Sequence, residues 1–254
     1  MDPPAAVSFS SSGLLLTYHA GVARMLHTHL PPFEKILGVS GGAVVGLLLA
    51  VSPGSLKSAL DFMIARNWAH DLSWADIWDP AARVLPEFLR RDGLLPPNAY
   101  ELATGRLHVH VTRSDNRRGR VVSEWTSNED LVKTVQASCS FASSGVQLSD
   151  GCSYWDGGMA KDGQLLPTMP GMDTLTVAPI SGVGATIAPP SSRWSFPTRY
   201  GDISLGNLVR AWDVSVPRAS AVMAAHAAAG ERDAGTWLAQ HAPGARGASS
   251  TTLP

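Results

Sequence analysis

Residues 36–50 read ILGVSGGAVVGLLLA, an apolar strand pattern that passes through a glycine-rich turn into an apolar helix pattern. The turn Gly38-Val39-Ser40-Gly41-Gly42 fits G-x-S-x-G, in which a serine stands on a sharp bend between a strand and a helix. The glycines at its two ends let the backbone turn tightly and let the helix approach the strand. Ser40 is therefore a candidate nucleophile at a helix N-terminus, although a glycine-rich turn with a solvated serine fits the same residues.

Strand and helix patterns alternate on both sides of this turn. Strands are predicted at residues 7–9, 36–39, 107–112, 121–122 and 175–180, and helices at residues 18–30, 42–50, 56–68, 128–138, 205–215 and 219–238. Asn128 is the expected N-cap of the fourth helix, and residues 117–120 are the expected turn of a hairpin. Such alternation is typical of an α/β sheet covered by helices on both faces.

The length of 254 residues suits one large domain. We predict a single domain over residues 1–243 and a flexible tail over residues 244–254, which are rich in Gly, Ala, Ser and Thr. Hydrophobic residues make up 44% of the chain and the net charge is −1, which argues against global disorder and against a nucleic-acid partner.

Targeting signals are absent from the sequence pattern. Residues 1–4 lack the cationic region of a signal peptide, and the longest apolar run, residues 41–51, is about half of the ~20 residues that a membrane span needs. Two cysteines, Cys139 and Cys152, suit reduced intracellular thiols. We therefore expect a soluble or peripheral protein in the cytoplasm.

Two further stretches offer site residues. Asp156 directly precedes Gly157 and Gly158, and glycines at such a position allow a tight turn and the close approach of another loop. An ordinary Asp-Gly turn is the simpler interpretation. Residues 11–13 follow the first strand, and their backbone N–H groups could face an oxyanion, a task that requires donors but no particular side chain.

The histidines do not complete a familiar site. A Ser-His-Asp triad would need a histidine after Asp156, and only His226 and His241 follow it, both in the last helical region, so a triad fits poorly. The pairs at residues 27 and 29 and at residues 108 and 110 have no obvious third ligand for a metal. We predict neither a metal nor a cofactor.

In combination, these segments resemble the patatin-like phospholipase family, which has a glycine-rich oxyanion loop, an early G-x-S-x-G turn and a late D-G-[GA]. Residues 18–22, YHAGV, match the Y-H-x-G-V segment of its adiponutrin and adipose triglyceride lipase branch. Residues 91–98, RDGLLPPN, are similar to that branch's R-D-G-L…L-P-x-N stretch. The resemblance extends from about Val7 to Leu238.

The resemblance implies a three-layer α/β fold with a mainly parallel central sheet. It also implies a Ser-Asp dyad in which Ser40 is the nucleophile and Asp156 is the general base, with no histidine between them. The oxyanion would be held by backbone N–H groups, namely those of Ser12, Gly13, Leu14 and Gly41. The elbow glycines are Gly38 and Gly42, and those beside the aspartate are Gly157 and Gly158.

The activity implied is that of a serine esterase, a lipid acyl hydrolase of the triacylglycerol lipase or phospholipase A type, with acyl transfer as a variant. Its substrate would be a glycerolipid or phospholipid at a membrane or lipid-droplet surface, with a protein regulator as a further partner. Ser11 and Leu16 stand where the family has glycine, and either would strain the loop if its position required a positive φ. The alternative is therefore a weakly active or inactive homologue that binds lipid or a partner protein.

Tryptophan is unusually frequent, with eight residues against six Phe and four Tyr. Part of it could form an exposed apolar rim near the site, a surface suited to contact with insoluble lipid. The residues of this predicted rim are Trp68, Trp74 and Trp78, with Ile64, Leu72 and Ile77.

Overall fold

A computed structural model gives the chain a seven-stranded sheet with helices packed around it. The structure describes residues 3–65, 84–90, 93–141, 145–161, 165–198, 201–215 and 220–241. The strands are β1 (Ala6–Phe9), β2 (Lys35–Val39), β3 (Leu107–Arg113), β4 (Gly119–Val122), β5 (Val146–Gln147), β6 (Ser153–Asp156) and β7 (Thr174–Val177). The helices are α1 (Leu16–His29), α2 (Gly41–Val51), α3 (Leu56–Ala65), α4 (Val84–Leu89), α5 (Ala99–Ala103), α6 (Asn128–Ser138), α7 (Leu205–Ser215) and α8 (Ser220–His241).

The centre of the sheet is parallel. Strands β3, β2, β1 and β7 lie side by side in that order, and Val7 of β1 pairs with Ile36 on one side and Leu175 on the other. All four residues of β1 are buried, so both faces of this strand are covered. Strands β4, β5 and β6 join antiparallel beyond β3. The prediction of an α/β fold with a mainly parallel central sheet is confirmed.

Most predicted elements are present with small shifts at their ends. Helices α6 and α7 have the predicted bounds, and α1, α2 and α8 differ from the predictions by one to three residues. Strand β7 ends at Val177, earlier than predicted, because Pro179 has no N–H with which to continue the ladder. The last three residues predicted for α3 and the tail at residues 244–254 lie outside the described residues.

Two local predictions are wrong. The N-cap of α6 is Ser127, whose Oγ accepts a hydrogen bond from the Asp130 N–H at 3.1 Å, whereas the Asn128 side chain accepts from the Tyr100 N–H at 2.9 Å. The hairpin turn spans residues 114–118, so it only overlaps the predicted residues 117–120, because β4 already begins at Gly119. Its tight bend is at Arg117, which has a φ of 60°.

Helices α1 and α8 cross at a pair of glycines. A Cβ on Gly230 would overlap the Tyr18 carbonyl, and a Cβ on Gly21 would overlap the Ala227 carbonyl. Tyr18 also donates a hydrogen bond from its hydroxyl to Asp233 of α8 at 2.8 Å. This close approach fixes the start of α1, which directly follows the loop predicted to hold the oxyanion. Within the described residues, no helix combines the length and apolar character needed to cross a bilayer.

Gly230→Ala should destabilise the protein by about 1–3 kcal/mol, because the added methyl forces the backbones of α1 and α8 apart. Gly235→Ala, on the same helix, is the matched control. Its Cβ would meet only the flexible end of Met25, at 3.8 Å, so the higher helix propensity of alanine should leave stability equal or up to about 1 kcal/mol higher. Thermal unfolding of both variants measures the difference, and equal melting temperatures would contradict the close crossing.

Candidate active site

Ser40 occupies a sharp bend between β2 and α2. Its backbone has φ 55° and ψ −128°, and among the described residues only Ser40 and Arg117 are non-glycine residues with a positive φ. Its side chain is almost completely buried, at 2% exposure. Strained backbone at a buried serine that joins a strand to a helix is the geometry of a nucleophile elbow.

The elbow glycines make this bend sterically feasible. A Cβ on Gly38 would overlap the backbone of Ala43 in α2, and a Cβ on Gly42 would overlap the carbonyls of Phe9 and Ser10. Helix α2 therefore begins pressed against the ends of β1 and β2, with no space for side chains at either position.

Ser138, at the end of α6, holds the elbow from the other side. Its Oγ accepts a hydrogen bond from the Ser40 N–H at 2.9 Å and donates one to the His110 carbonyl of β3 at 2.7 Å. The side chain is fully buried. Sequence reasoning missed this role, since a serine at a helix end gives no signal of a partner 98 residues away.

The pairing of three strands brings Asp156 to Ser40, 116 positions away in sequence. Strand β2 pairs with β3 up to Val39 opposite His110, and β6 pairs with β3 from Asp156 opposite Val111. Because β4 takes the other edge of β3 over these positions, β2 and β6 must share one edge. Their C-terminal ends therefore meet head to head at adjacent positions of β3.

Asp156 is buried, at 1% exposure, and its backbone is fixed on both sides. Its N–H donates to the Ser140 carbonyl at 2.8 Å, and its carbonyl accepts from the Thr112 hydroxyl at 2.8 Å. Its Oδ1 accepts from the Gly158 N–H at 2.8 Å, the turn contact expected of the following glycines. A Cβ on Gly157 would overlap the His110 carbonyl, so this turn is also pressed against β3.

The carboxyl of Asp156 binds its proton more tightly than an ordinary aspartate. Burial raises its pKa to about 7, while hydrogen bonding from the Ser40 hydroxyl and from the Gly158 N–H partly offsets that increase. Oδ2 has no partner that meets strict hydrogen-bond geometry among the described residues, although the Ser40 hydroxyl lies near enough to lower the pKa.

The Gly13–Leu15 turn takes the place of the family's oxyanion loop. Gly13 has a φ of 48°, and it is the glycine retained from the family pattern. Leu16 has an ordinary helical φ of −56°, and Ser11 is not among the described residues with a positive φ. Neither replacement of glycine therefore strains the loop.

This turn packs directly against the start of α2. A Cβ on Gly41 would overlap the Ser12 hydroxyl oxygen and lie 2.9 Å from the Gly13 carbonyl. The Ser12 side chain is buried, and its Oγ has no hydrogen-bond partner among the described residues. The backbone groups predicted to hold an oxyanion, those of Ser12, Gly13, Leu14 and Gly41, thus belong to two segments in contact. Their role remains a prediction.

His19 ties the loop to α1. The ring is fully buried, burial lowers its pKa to about 4, and the neutral ring's Nε2 lies 3.0 Å from the Ser10 carbonyl, to which it donates. The ring also packs edge-on against Phe9. The histidine of the YHAGV segment therefore anchors the loop.

Exposed apolar side chains flank the site, a feature that sequence reasoning also missed. Phe141, 47% exposed, follows Ser140, whose carbonyl binds the Asp156 N–H. Leu165, 38% exposed, has a carbonyl that accepts from the Ser11 N–H at 3.4 Å, and its side chain lies beside Gly158. The surroundings of the site therefore suit an apolar substrate group.

Three other side chains, one cysteine and two histidines, were considered as nucleophile or base, and their surroundings do not suit them to either role. Cys139 is a free, buried thiol beside Ser40, and burial and the nearby Asp156 raise its pKa well above the usual range, so it stays protonated. His226 lies 3.0 Å from Asp213, and His241 contacts the Trp237 carbonyl at 2.8 Å. Neither histidine contacts the dyad, so the triad alternative is not formed.

The potential metal ligands and the predicted rim are described only in part. Within the described part of the chain, no group of three or more potential metal-ligating side chains comes together. Five residues of the predicted rim lie outside the described residues, and the sixth, Ile64, is half-buried against the core.

Comparison with known proteins identifies the family of the chain. The family model described as "Patatin-like phospholipase" matches residues 7–168, and the chain therefore belongs to the patatin-like phospholipase family.

Individual relatives share about 30% of aligned residues. Human patatin-like phospholipase domain-containing protein 4 is 31% identical over 69% of this chain and 72% of its own length. Human omega-hydroxyceramide transacylase is 31% identical over 54% of this chain and 27% of its own. Human 1-acylglycerol-3-phosphate O-acyltransferase PNPLA3 is 29% identical over 70% of this chain and 38% of its own. The aligned part thus spans well under half the length of the latter two.

Asp156→Asn should stabilise the protein progressively more as pH rises from about 4 to 8. The native carboxyl has a pKa of about 7 and the unfolded one about 3.9, so the native state holds the proton more tightly and wild-type stability falls across that window. Asparagine cannot ionise, and the gain should reach a few kcal/mol above pH 7. Melting temperatures of both proteins across the range measure it, and parallel curves would contradict the buried carboxylate.

Asp150→Asn is a control for which the change in stability with pH should have the opposite sign. Partial burial raises the pKa of Asp150, but hydrogen bonds from the Tyr154 hydroxyl and the Cys152 N–H outweigh this and lower the pKa overall. The ionised form therefore stabilises the native state, and Asp150→Asn should lose stability relative to wild type as pH rises through the ordinary range of aspartate.

Proposed function

We propose that the chain is a lipid acyl hydrolase that cleaves carboxylic esters of glycerolipids, with Ser40 as nucleophile and Asp156 as general base. The observation that carries this proposal is the head-to-head meeting of β2 and β6. It sets a buried carboxyl with a pKa of about 7 against a strained, buried serine.

The reaction begins with transfer of the Ser40 hydroxyl proton to the Asp156 carboxylate as Oγ attacks the ester carbonyl carbon. The carbonyl electron pair moves onto oxygen, and this oxyanion is stabilised by backbone N–H groups, namely those of Ser12, Gly13, Leu14 and Gly41. Collapse breaks the ester C–O bond, and the leaving alkoxide takes the proton from Asp156. An acyl ester remains on Ser40.

Water completes the cycle by the same route. Asp156 accepts a proton from water as the water oxygen attacks the acyl carbon, and collapse returns the proton to Ser40 Oγ and releases the carboxylic acid. A pKa near 7 suits a group that must take up and release a proton in both halves. An alcohol in place of water would give acyl transfer, the reaction for which two of the relatives are named.

The substrate class follows from the surroundings of the site. Exposed Phe141 and Leu165 are suited to contact an acyl chain. Because glycerolipids reside in membranes and droplets, we propose that the enzyme is peripheral to such a surface. We further propose that it acts in the cytoplasm, where a protein regulates its access to that surface. The inactive alternative rested on Ser11 and Leu16, and the unstrained backbone at both positions removes that reason.

Turnover of a short-chain p-nitrophenyl ester and a panel of glycerolipids tests the proposal. Ser40→Ala should abolish turnover, and Asp156→Asn should lower the acylation rate by a factor of ~10²–10⁴. Since the base must be ionised, the wild-type rate should rise with pH and level off above about 7. His226→Ala should retain activity. Turnover that survives Ser40→Ala would show that the nucleophile is misassigned.

A further inference from the structure

Helix α7 has its polar and apolar faces reversed relative to an ordinary surface helix. Its buried side chains include Asn207 and Asp213, whereas Leu205, Leu208 and Trp212 are 77%, 61% and 59% exposed. Surface helices normally turn their apolar stripe toward the core. An outward apolar stripe indicates that the helix faces an apolar environment other than the core.

The loop before α7 extends the same surface. Trp194 and Phe196 are 82% and 72% exposed, and Ile203 is 55% exposed. Phe196 and Ile203 are joined by two backbone hydrogen bonds, of 3.0 and 2.8 Å, so the loop doubles back toward the helix. We define the apolar face as the six residues Trp194, Phe196, Ile203, Leu205, Leu208 and Trp212.

Polar contacts beneath α7 fix this orientation. Asn207 Nδ2 donates to the carbonyls of Ser181 and Asp202 at 3.0 and 2.7 Å. Farther along the helix, Asp213 pairs with His226 of α8 at 3.0 Å. Rolling the apolar face inward would break these buried contacts and leave their polar groups unpaired, which is unfavourable.

The helix that carries the apolar face lies next to the candidate active site. Helix α7 packs against the Gly13–Leu15 turn, which in turn contacts Gly41 beside Ser40. A surface that holds this face also holds the oxyanion turn close to that surface.

The charged residues near the apolar face indicate what kind of surface it binds. The stretch 191–219 carries four arginines and two aspartates. Both aspartates are buried, whereas Arg193 is exposed and Arg210 is half-buried, so the described residues of this stretch present only positive charge outward. Exposed tryptophan beside arginine on an apolar surface suits the boundary between acyl chains and anionic headgroups.

We propose that the apolar face docks the protein onto a lipid surface that carries anionic headgroups, with α7 lying in the plane of the interface. This rests on the proposed function, because docking here delivers lipid substrate to Ser40. The apolar face shares no residue with the rim predicted at residues 64–78 and does not depend on it.

Vesicle co-sedimentation of the Ser40→Ala protein tests docking without turnover. The vesicles are phosphatidylcholine alone and phosphatidylcholine mixed with phosphatidylserine. Two variant pairs remove the face independently, Leu208→Ser with Trp212→Ser on the helix and Trp194→Ser with Phe196→Ser on the loop. The matched control, Leu102→Ser with Val121→Ser, removes two apolar side chains that are 44% and 47% exposed elsewhere.

We expect the Ser40→Ala protein to bind the mixed vesicles and each face pair to bind at least ~10-fold more weakly, with the control pair unchanged. Arg193→Glu leaves the apolar side chains in place and should weaken binding to the mixed vesicles but not to phosphatidylcholine alone. Circular dichroism checks that every variant is folded, and if one pair unfolds, the other pair and Arg193→Glu still decide.

Three results would overturn the proposal: face pairs that bind like the parent, a parent protein that stays in the supernatant with both vesicles, or a parent oligomer that the face pairs convert to monomer. The last would make the face a contact between protein chains. Short-chain ester turnover in the Ser40-containing face variants separates the two proposals. Turnover without vesicle binding leaves the catalytic function standing, and vesicle binding without turnover leaves docking standing.

Discussion

The shared edge of β3 is the constraint on which the candidate site depends. A strand has only two hydrogen-bonding edges, and β4 fills one of them, so β2 and β6 must meet end to end on the other. That meeting sets Asp156 directly after Val39 and therefore beside Ser40. Direct proton transfer requires heavy atoms roughly 3 Å apart, so the proposed dyad depends on this meeting of two strands that are remote in sequence.

The arrangement is energetically unfavourable by itself, and the surrounding packing holds it. Ser40 has a strained backbone, and Asp156 is a carboxyl removed from water, two features that proteins tolerate when neighbouring contacts fix them. Ser138 binds the elbow N–H, and the Gly230 crossing fixes α1 directly after the Gly13–Leu15 turn. Helix α7 packs against the same turn, and its buried polar contacts keep its apolar side chains facing outward.

Sequence patterns were sufficient to predict the strands and helices that bury an apolar run of residues. The elbow between β2 and α2 was predicted because a strand pattern, a glycine pair and a helix pattern follow each other without a break. Strand β6 was missed because it is four residues long and its last residue, Asp156, is followed by two glycines, a pattern typical of a turn, and because it forms only by pairing with β3. The partner of Ser138 depends on tertiary contact, and the outward face of α7 contradicts the rule that apolar residues point inward. Neither the partner of Ser138 nor the outward face of α7 can be predicted from a sequence pattern.

The most direct measurement of the central claim is the rate at which a fluorophosphonate modifies Ser40, followed by intact-protein mass spectrometry between about pH 5 and 9. If Asp156 is the base, the label maps to Ser40, its rate rises to a plateau above about pH 7, and Asp156→Asn removes both the rise and most of the rate. A label on another residue, or an Asp156→Asn protein that reacts as fast and with the same pH dependence as wild type, would contradict the account.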